Sequence, residues 1–245
     1  MNWRLEIHDR LASTSNLCRD RAAAGEPSNL AVLARHQEQG RGSRGRTWLS
    51  IPGNLFLSVL LRPGGSLRDA GAWSLLAGVG LFDAVAEFLP AHHLTLKWPN
   101  DLLLDGRKTA GILVDATGDG ALDALVIGFG VNLAGAPLIP GRPTTALAAL
   151  IAPPSPEDFA QRLLAALGCC LSLQNAEGFD PIRKTWIARA QPAGTAMTLA
   201  LPDRAISGRF AGLDPDGALR LQTGAETRSF RVGELHLEPA AGGAA

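Results

Sequence analysis

Short apolar runs bounded by turn residues alternate along this chain with longer stretches of helical period. Residues 1–13 alternate apolar and charged side chains, and the stretch from Asp9 reads as a strand end. A helix is predicted to begin near Ser13 or Thr14 and to stop at Gly25. "NLAVLARHQ" (29–37) reads as a strand, and so does "NLFLSVLLR" (54–62) after a Pro52-Gly53 turn. From Ser66 to Leu89 the apolar positions Trp73, Leu76, Val79 and Phe82 follow a helical period. "HLTLKWP" (93–99) is a strand ended by Pro99, and residues 101–133 read as three strands joined by an Asp105-Gly106 turn and a Gly-rich turn. Ser155 is placed to cap a second long helix running to about Gln174, with Glu157 and Asp158 in its first turn. Hairpin strands mixed with two or three long helices, without strict βαβ alternation, predict an α/β or α+β sheet layer over 1–190, of which α+β is preferred. Past Gln191-Pro192-Ala193-Gly194 the pattern changes to short strands with Asp- and Gly-rich turns, which predicts a small β-barrel over 195–239 and a frayed tail over 240–245.

Composition narrows the class. The chain has 245 residues, 46% hydrophobic and 19% charged, with a formal net charge of zero, so bulk electrostatics calls for neither DNA nor an anionic membrane. The N-terminus lacks the apolar core of a signal peptide, and the most apolar run carries Asp83 and Glu87, unlike a membrane span. Cys18, Cys169 and Cys170 form no disulfide or zinc spacing. A cytoplasmic location follows from these features. Of the 23 basic residues only Lys97, Lys108 and Lys184 are lysine, and two of them fall in one short segment. In an arginine-rich background, a retained lysine points to work for a compact point charge instead of a planar fork.

"QEQGRGSRGRTW" (37–48) has the G-x-G-x-x-G spacing of a dinucleotide-binding turn. That motif requires a helix next, so that a helix N-terminus meets the pyrophosphate. Here Pro52-Gly53 and another strand follow, so the dinucleotide reading fails. Arg41, Arg44 and Arg46 repel one another among glycines that are costly to order. The loop is therefore expected to be a flap that orders around an anion.

"LKWPNDLLLDGRKTAGILVD" sets Asn100 and Asp101 after a strand end, then Lys108 and Gly111 beyond a turn. "VIGFGVNL" is an apolar strand interrupted by Gly128 and Gly130, spacing that marks a close approach of ligand or backbone, and it carries Asn132. Taken singly, Asn132 would pass as a turn residue and Lys108 as a solvated hairpin charge. Taken in order, G-R-G-x-x-G-R-x-W, K-W-P-N-D, R-K-x-x-G-I-L and I-G-x-G-x-N resemble the biotin protein ligase family from Ser13 to about Asn132.

The resemblance implies a mixed sheet with flanking helices, related to the class II aminoacyl-tRNA synthetase core, and an SH3-like C-terminal barrel. It implies biotin, ATP and Mg2+ as reactants, biotinyl-5′-AMP as intermediate, and a lysine of a biotin carboxyl carrier protein as acceptor. By the same resemblance, Lys108, Arg41 and Asp101 are catalytic. Asp101 could bind magnesium, orient Lys108 or help deprotonate the incoming lysine. Ser13, Thr14, Gln37, Gly40, Arg41, Trp48, Lys108 and Gly111 would contact biotin. Arg41, Arg44, Arg46, Trp48, Asn100, Lys108 and Asn132 would contact ATP or the adenylate. Metal ligands are left unassigned, and the protein would be a monomer or homodimer. Because Ser13 lies so near the start, no winged DNA-binding domain is expected ahead of it.

Three positions depart from the family pattern. Ser43 replaces a basic residue in the glycine loop, removing one charge and predicting weaker adenylate retention. Ser15, with Asn16 one place later, leaves the third residue of the Ser-Thr motif open. Asp115 stands in place of glutamate. Two other functions are weighed: a lipoate or octanoate ligase or transferase of the same fold, and a non-catalytic biotin- or nucleotide-binding protein.

Overall fold

The strand Leu55–Leu61 (β3) reads LFLSVLL, and all seven residues are buried. Such unbroken apolarity suits a strand covered on both faces. It lies inside a seven-stranded sheet. The other strands are Arg4–Leu11 (β1), Leu30–Gln37 (β2), Leu94–Lys97 (β4), Asp101–Leu104 (β5), Arg107–Thr117 (β6) and Ala124–Val131 (β7), in the order β1-β2-β3-β7-β6-β5-β4. β1 and β2 run parallel, and every other neighbouring pair is antiparallel. The structure is a computed structural model that describes residues 2–67 and 70–237. The expected tail at 240–245 lies outside the described residues.

Side-chain alternation sends alternate strand residues to opposite layers. Ala31, Leu33, Leu57 and Val59 join one large core, while Leu30, Val32 and Leu60 meet Cys18 of helix Thr14–Ala23 (α1) on the other face. The large core is completed by helices Ala70–Ala86 (α2), Pro156–Glu177 (α3) and Asp180–Ala188 (α4). α2 lies inside the predicted span 66–89. α3 begins as predicted, with the Ser155 hydroxyl accepting from Asp158 N at 3.0 Å. α4 was not distinguished in the sequence, although Gly178 with φ +77° and Pro181 in the first turn mark its start. Ser13 occupies the N-cap position of α1 without capping it through its side chain.

Ala196–Ala200 (β8), Ala205–Leu213 (β9), Leu219–Thr223 (β10), Glu226–Phe230 (β11) and Glu234–Leu237 (β12) form an antiparallel sheet in the order β11-β10-β9-β8-β12, which fits an SH3-like barrel. A sheet this small buries little by itself. Its inward residues, among them Met197, Leu199, Phe210 and Leu235, are continuous with the core of the large sheet. Trp98 Nε1 donates to Gly217 O at 3.2 Å across the junction, and Lys97 Nζ donates to Leu235 O at 3.3 Å. No helix among the described residues is long and apolar enough to cross a membrane. The three cysteines are free, and burial pushes the thiols of Cys18 and Cys170 up to about 12, which leaves them unreactive at neutral pH.

Because Leu235 is only 2% exposed in the shared core, Leu235→Ala is expected to cost about 2–4 kcal/mol. Urea unfolding followed by far-UV circular dichroism and tryptophan fluorescence should give one coincident transition. Two separate transitions would mean that the sheets do not share a core.

Candidate active site

On the α1 face, the middle of the large sheet loses its side chains. Ser58 of β3 pairs with Gly128 of β7, and Gly130 of β7 pairs with Gly111 of β6. The result is a depression in a sheet otherwise faced with leucine and valine, and Trp48 lies in it. A Cβ on Gly130 would come within 2.3 Å of Trp48 Cε2, and one on Gly111 within 3.0 Å of its Cζ3. The glycines of the third and fourth motifs therefore permit a close approach of the tryptophan that closes the first. An open cleft surrounds this ring.

The buried part of the cleft is polar and uncharged. Gln37 Oε1 accepts from Thr14 N at 2.9 Å and from Thr14 Oγ1 at 3.1 Å. Ser58 Oγ lies 2.8 Å from Thr14 Oγ1 and 3.0 Å from Ser15 Oγ. Ser58 was not foreseen, since a serine within an apolar strand carries no motif. Its break in the LFLSVLL run was the available signal. The open third position resolves into two: Ser15 lines the cleft, while Asn16 accepts from Arg41 at 3.4 Å. Ser13 is buried, and its Oγ has no partner among the described residues; the same holds for Trp48 Nε1 and Thr109 Oγ1. Gln174 Oε1 on α3 is unpartnered too, and of these four only Trp48 lines the cleft; Ser13, expected to contact biotin, lies behind it.

The more exposed part carries the charge. β5 and β6 shift register at Thr109, which bulges out of the ladder. In a regular strand Lys108 and Gly111, three apart, would face opposite ways; the bulge gives them a common side. A Cβ on Gly111 would indeed lie 3.1 Å from Lys108 Nζ. The Lys108 ammonium stands 5.6 Å from the centre of the Trp48 ring and forms an ion pair with Asp101. Asp101 also binds Lys97 Nζ at 2.9 Å. Burial pushes the Asp101 carboxyl up, but Lys108 and Lys97 together outweigh it and hold the group below the ordinary aspartate range. Asn100 braces the turn: its Nδ2 donates to Ile112 O at 2.7 Å, and Ile112 N donates to Asn100 O at 2.9 Å.

The glycine-arginine loop differs from expectation. It is a folded hairpin, with Gly42 N donating to Arg46 O at 2.8 Å and Trp48 N to Gly40 O at 2.9 Å. Its charge repulsion is relieved by protein carboxylates. Arg41 pairs with Asp115 at 2.6 Å, while Arg44 and Arg46 pair with Glu234 at 2.8 and 2.7 Å. Gly40 forms the hairpin base and does not line the cleft, and Arg44 lines only an adjoining groove toward the small sheet. Arg41, Arg46 and Trp48 do line the cleft. Ser43 helps fold the loop, accepting from Arg46 Nε through its carbonyl at 3.2 Å and from Arg46 Nη2 through its hydroxyl at 3.0 Å. Asn132 lines the cleft as well. Its side chain also holds the 132–145 loop, donating to Thr145 O at 3.1 Å and accepting from Asn54 at 3.4 Å. Neither Asn54 nor Glu234 was foreseen, because their partners are 78 to 190 residues away in the chain.

Magnesium, implied by the resemblance, would be held on a nucleotide mainly by phosphates and water, with at most one or two carboxylates. Among the described residues no three His, Cys, Asp or Glu side chains gather to hold a metal. The carboxylates of the adjoining groove, Asp101 and Glu234, are each committed to two or more cations.

Comparison with known proteins gives a consistent result. The model of the biotin/lipoate A/B protein ligase family matches residues 8–132, and that of the biotin protein ligase C terminal domain matches residues 194–235. The chain is 38% identical over 208 residues to the biotin–[acetyl-CoA-carboxylase] ligase of Paracoccus denitrificans, covering 82% of this chain and 87% of the relative. It is 32% identical to the enzyme of that name from Mycobacterium tuberculosis, covering 95% and 89%. The biotin protein ligase from Aquifex aeolicus in complex with biotin and ATP has the same fold, with a TM-score of 0.80 at 24% identity over 97% of this chain and 99% of that one.

Two expectations follow from this geometry. Gly130→Ala should displace Trp48 and destabilise the protein by about 1–3 kcal/mol, read as a change in near-UV circular dichroism together with a lower urea midpoint. An unchanged tryptophan signal would overturn the packing role of the glycine pair. Asp101→Asn should cost about 1–3 kcal/mol at pH 7, less than in a dry core because both ammonium groups are partly wet. A depressed carboxyl contributes stability that is present above its unfolded value and lost as pH falls through the folded one. Wild type should therefore lose stability below about pH 4 more steeply than the variant, as measured by urea titrations across that range.

Proposed function

This chain belongs to the biotin/lipoate A/B protein ligase family, and from that premise we propose that it uses ATP to biotinylate a lysine of a biotin carboxyl carrier domain through biotinyl-5′-AMP. The observation that carries the reading is the polarity of one cleft: buried neutral hydrogen-bonding groups at Thr14, Gln37 and Ser58, then Trp48, then the cations Lys108 and Arg41. Biotin has matching parts, with a neutral ureido head, an apolar ring and chain, and a carboxylate.

In the first step a biotin carboxylate oxygen attacks the α-phosphorus of ATP, and the bond to the bridging oxygen breaks to release pyrophosphate. Two anions must meet, so the requirement is fixed positive charge where they converge. Lys108 and Arg41 supply it, each already oriented by one carboxylate. Asp101 is suited to holding Lys108 and poorly suited to general base work, since a carboxyl held below its usual range binds protons weakly. In the second step the neutral amine of the carrier lysine attacks the acyl carbon, the C–O bond to phosphate breaks, AMP leaves, and the proton shed by the amine passes to solvent. Water would destroy the mixed anhydride, and the folded hairpin over the cleft supports its exclusion.

The test is labelling of a carrier domain in the presence of ATP with biotin or with lipoate, detected by mass. A biotin adduct is expected and a lipoyl adduct is not. Lys108→Ala should lower the rate by about 10²–10³, the usual effect of removing one transition-state donor. Absence of biotin transfer by wild type would sink the function; full activity of the variant would sink the role of Lys108.

A further inference from the structure

The carboxylate of Glu234 gathers three arginines from two loops. Its Oε2 meets Arg44 at 2.8 Å, and its Oε1 meets Arg46 at 2.7 Å and Arg142 at 3.1 Å. Arg44 and Arg46 belong to the glycine-arginine hairpin. Arg142 belongs to the loop that follows Asn132, where Ile139 and Thr144 also line the cleft. The two loops thus stand over one cleft and are joined through a residue of neither. Glu234 is the first residue of β12, and the next residue, Leu235, accepts from Lys97, the partner of Asp101. One strand of the small sheet therefore reaches both the roof of the cleft and the ion pairs beside Lys108.

We propose that Glu234 is a positioning residue that clasps the two roof loops across the cleft, and that through it the small sheet sets how long biotinyl-5′-AMP is retained. This rests on the reaction proposed above. Three guanidinium groups around one carboxylate leave two positive charges in excess. Removing that carboxylate would leave three mutually repelling arginines on the two loops, which would separate and open a path to solvent. Burial pushes the Glu234 carboxyl up, but the hydrogen bond from Arg46 and the charges of Arg46, Arg142 and Arg44 hold it below the ordinary range, so the clasp is charged at neutral pH. Each contact is partly exposed and weak alone; the network supplies the strength.

The experiment measures release of radiolabelled biotinyl-5′-AMP from the full-length chain in a chase with unlabelled adenylate. Glu234→Gln is expected to speed release about tenfold, the sum of three weak pairs. Arg142→Gln should speed it less, and the double variant no more than Glu234→Gln alone, because the two side chains act as one unit. Added salt should hasten release from wild type, whose ion pairs it weakens, and slow release from Glu234→Gln, whose arginine repulsion it screens. A merely structural glutamate would lower the melting temperature and leave release and its salt dependence alone. Should Glu234→Gln fail to fold, Arg142→Gln, altered only on a loop, carries the test. Release at the wild-type rate from the folded variants overturns the clasp by itself. Failure of wild type to hold biotinyl-5′-AMP overturns the functional reading, and this inference with it.

Discussion

Asp101 is a buried carboxylate between two ammonium groups, and much of the site depends on that arrangement. Taking a carboxylate out of water is expensive unless opposite charge compensates it. Lys97 and Lys108 do so from two sides, one on the strand before it and one across the hairpin. The compensation fixes Lys108, whose ammonium would otherwise explore many rotamers in solvent. It also spends the proton affinity of Asp101, since a carboxyl that two cations keep ionised is a poor acceptor. Lys97 in turn donates to Leu235 O, so the small sheet is attached to the same chain of charge. The arginine bias of the sequence fits this picture. Two compact ammonium groups each meet one oxygen of the buried carboxylate, whereas the three guanidinium groups around the more exposed Glu234 spread over a wider surface.

The cleft itself is made by subtraction. Strands β3, β6 and β7 would form a flat leucine-rich face under α1, and Ser58, Gly111, Gly128 and Gly130 remove that face at adjacent register positions. Trp48 fills part of the space, and the bulge at Thr109 turns Lys108 toward it. Glycine inside a strand weakens the strand. Here the loss is confined to the sheet's centre, where neighbours on both sides hold the ladder in place.

What could be read from the sequence divides along physical lines. The strands and long helices were legible because burial imposes a period on the residues that make them, as in the wholly apolar β3 or the capped α3. α4 escaped because nine residues with two fully buried side chains barely establish a period. At the site, Lys108, Trp48, Gly111, Asn100 and Thr14 were legible from local motifs, and all line the cleft. The behaviour of the hairpin was not. Its arginines were expected to wait for an anion, but they rest on Asp115 and Glu234, which lie 74 and 188–190 residues away. A motif shows that charge is present; the fold alone decides which opposite charge it meets. Ser58, Asn54, Arg142 and Glu234 were missed for the same reason, each having its role through a distant partner.

Those carboxylates answer a constraint set by the chemistry. A loop bearing three arginines must hold together before and after a highly charged triphosphate passes through, and free guanidinium groups would drive it apart. Deeply buried partners would solve the first problem and create another, since breaking such pairs to meet a phosphate costs several kcal/mol. Pairs that are one-fifth to one-half exposed lie between these limits. Water screens each pair so that it is weak alone, while together they still order the hairpin. The partial exposure of Asp115 thus leaves Arg41 ordered without burying it, while Glu234 joins Arg44 and Arg46 to Arg142 and so holds the hairpin to the neighbouring loop.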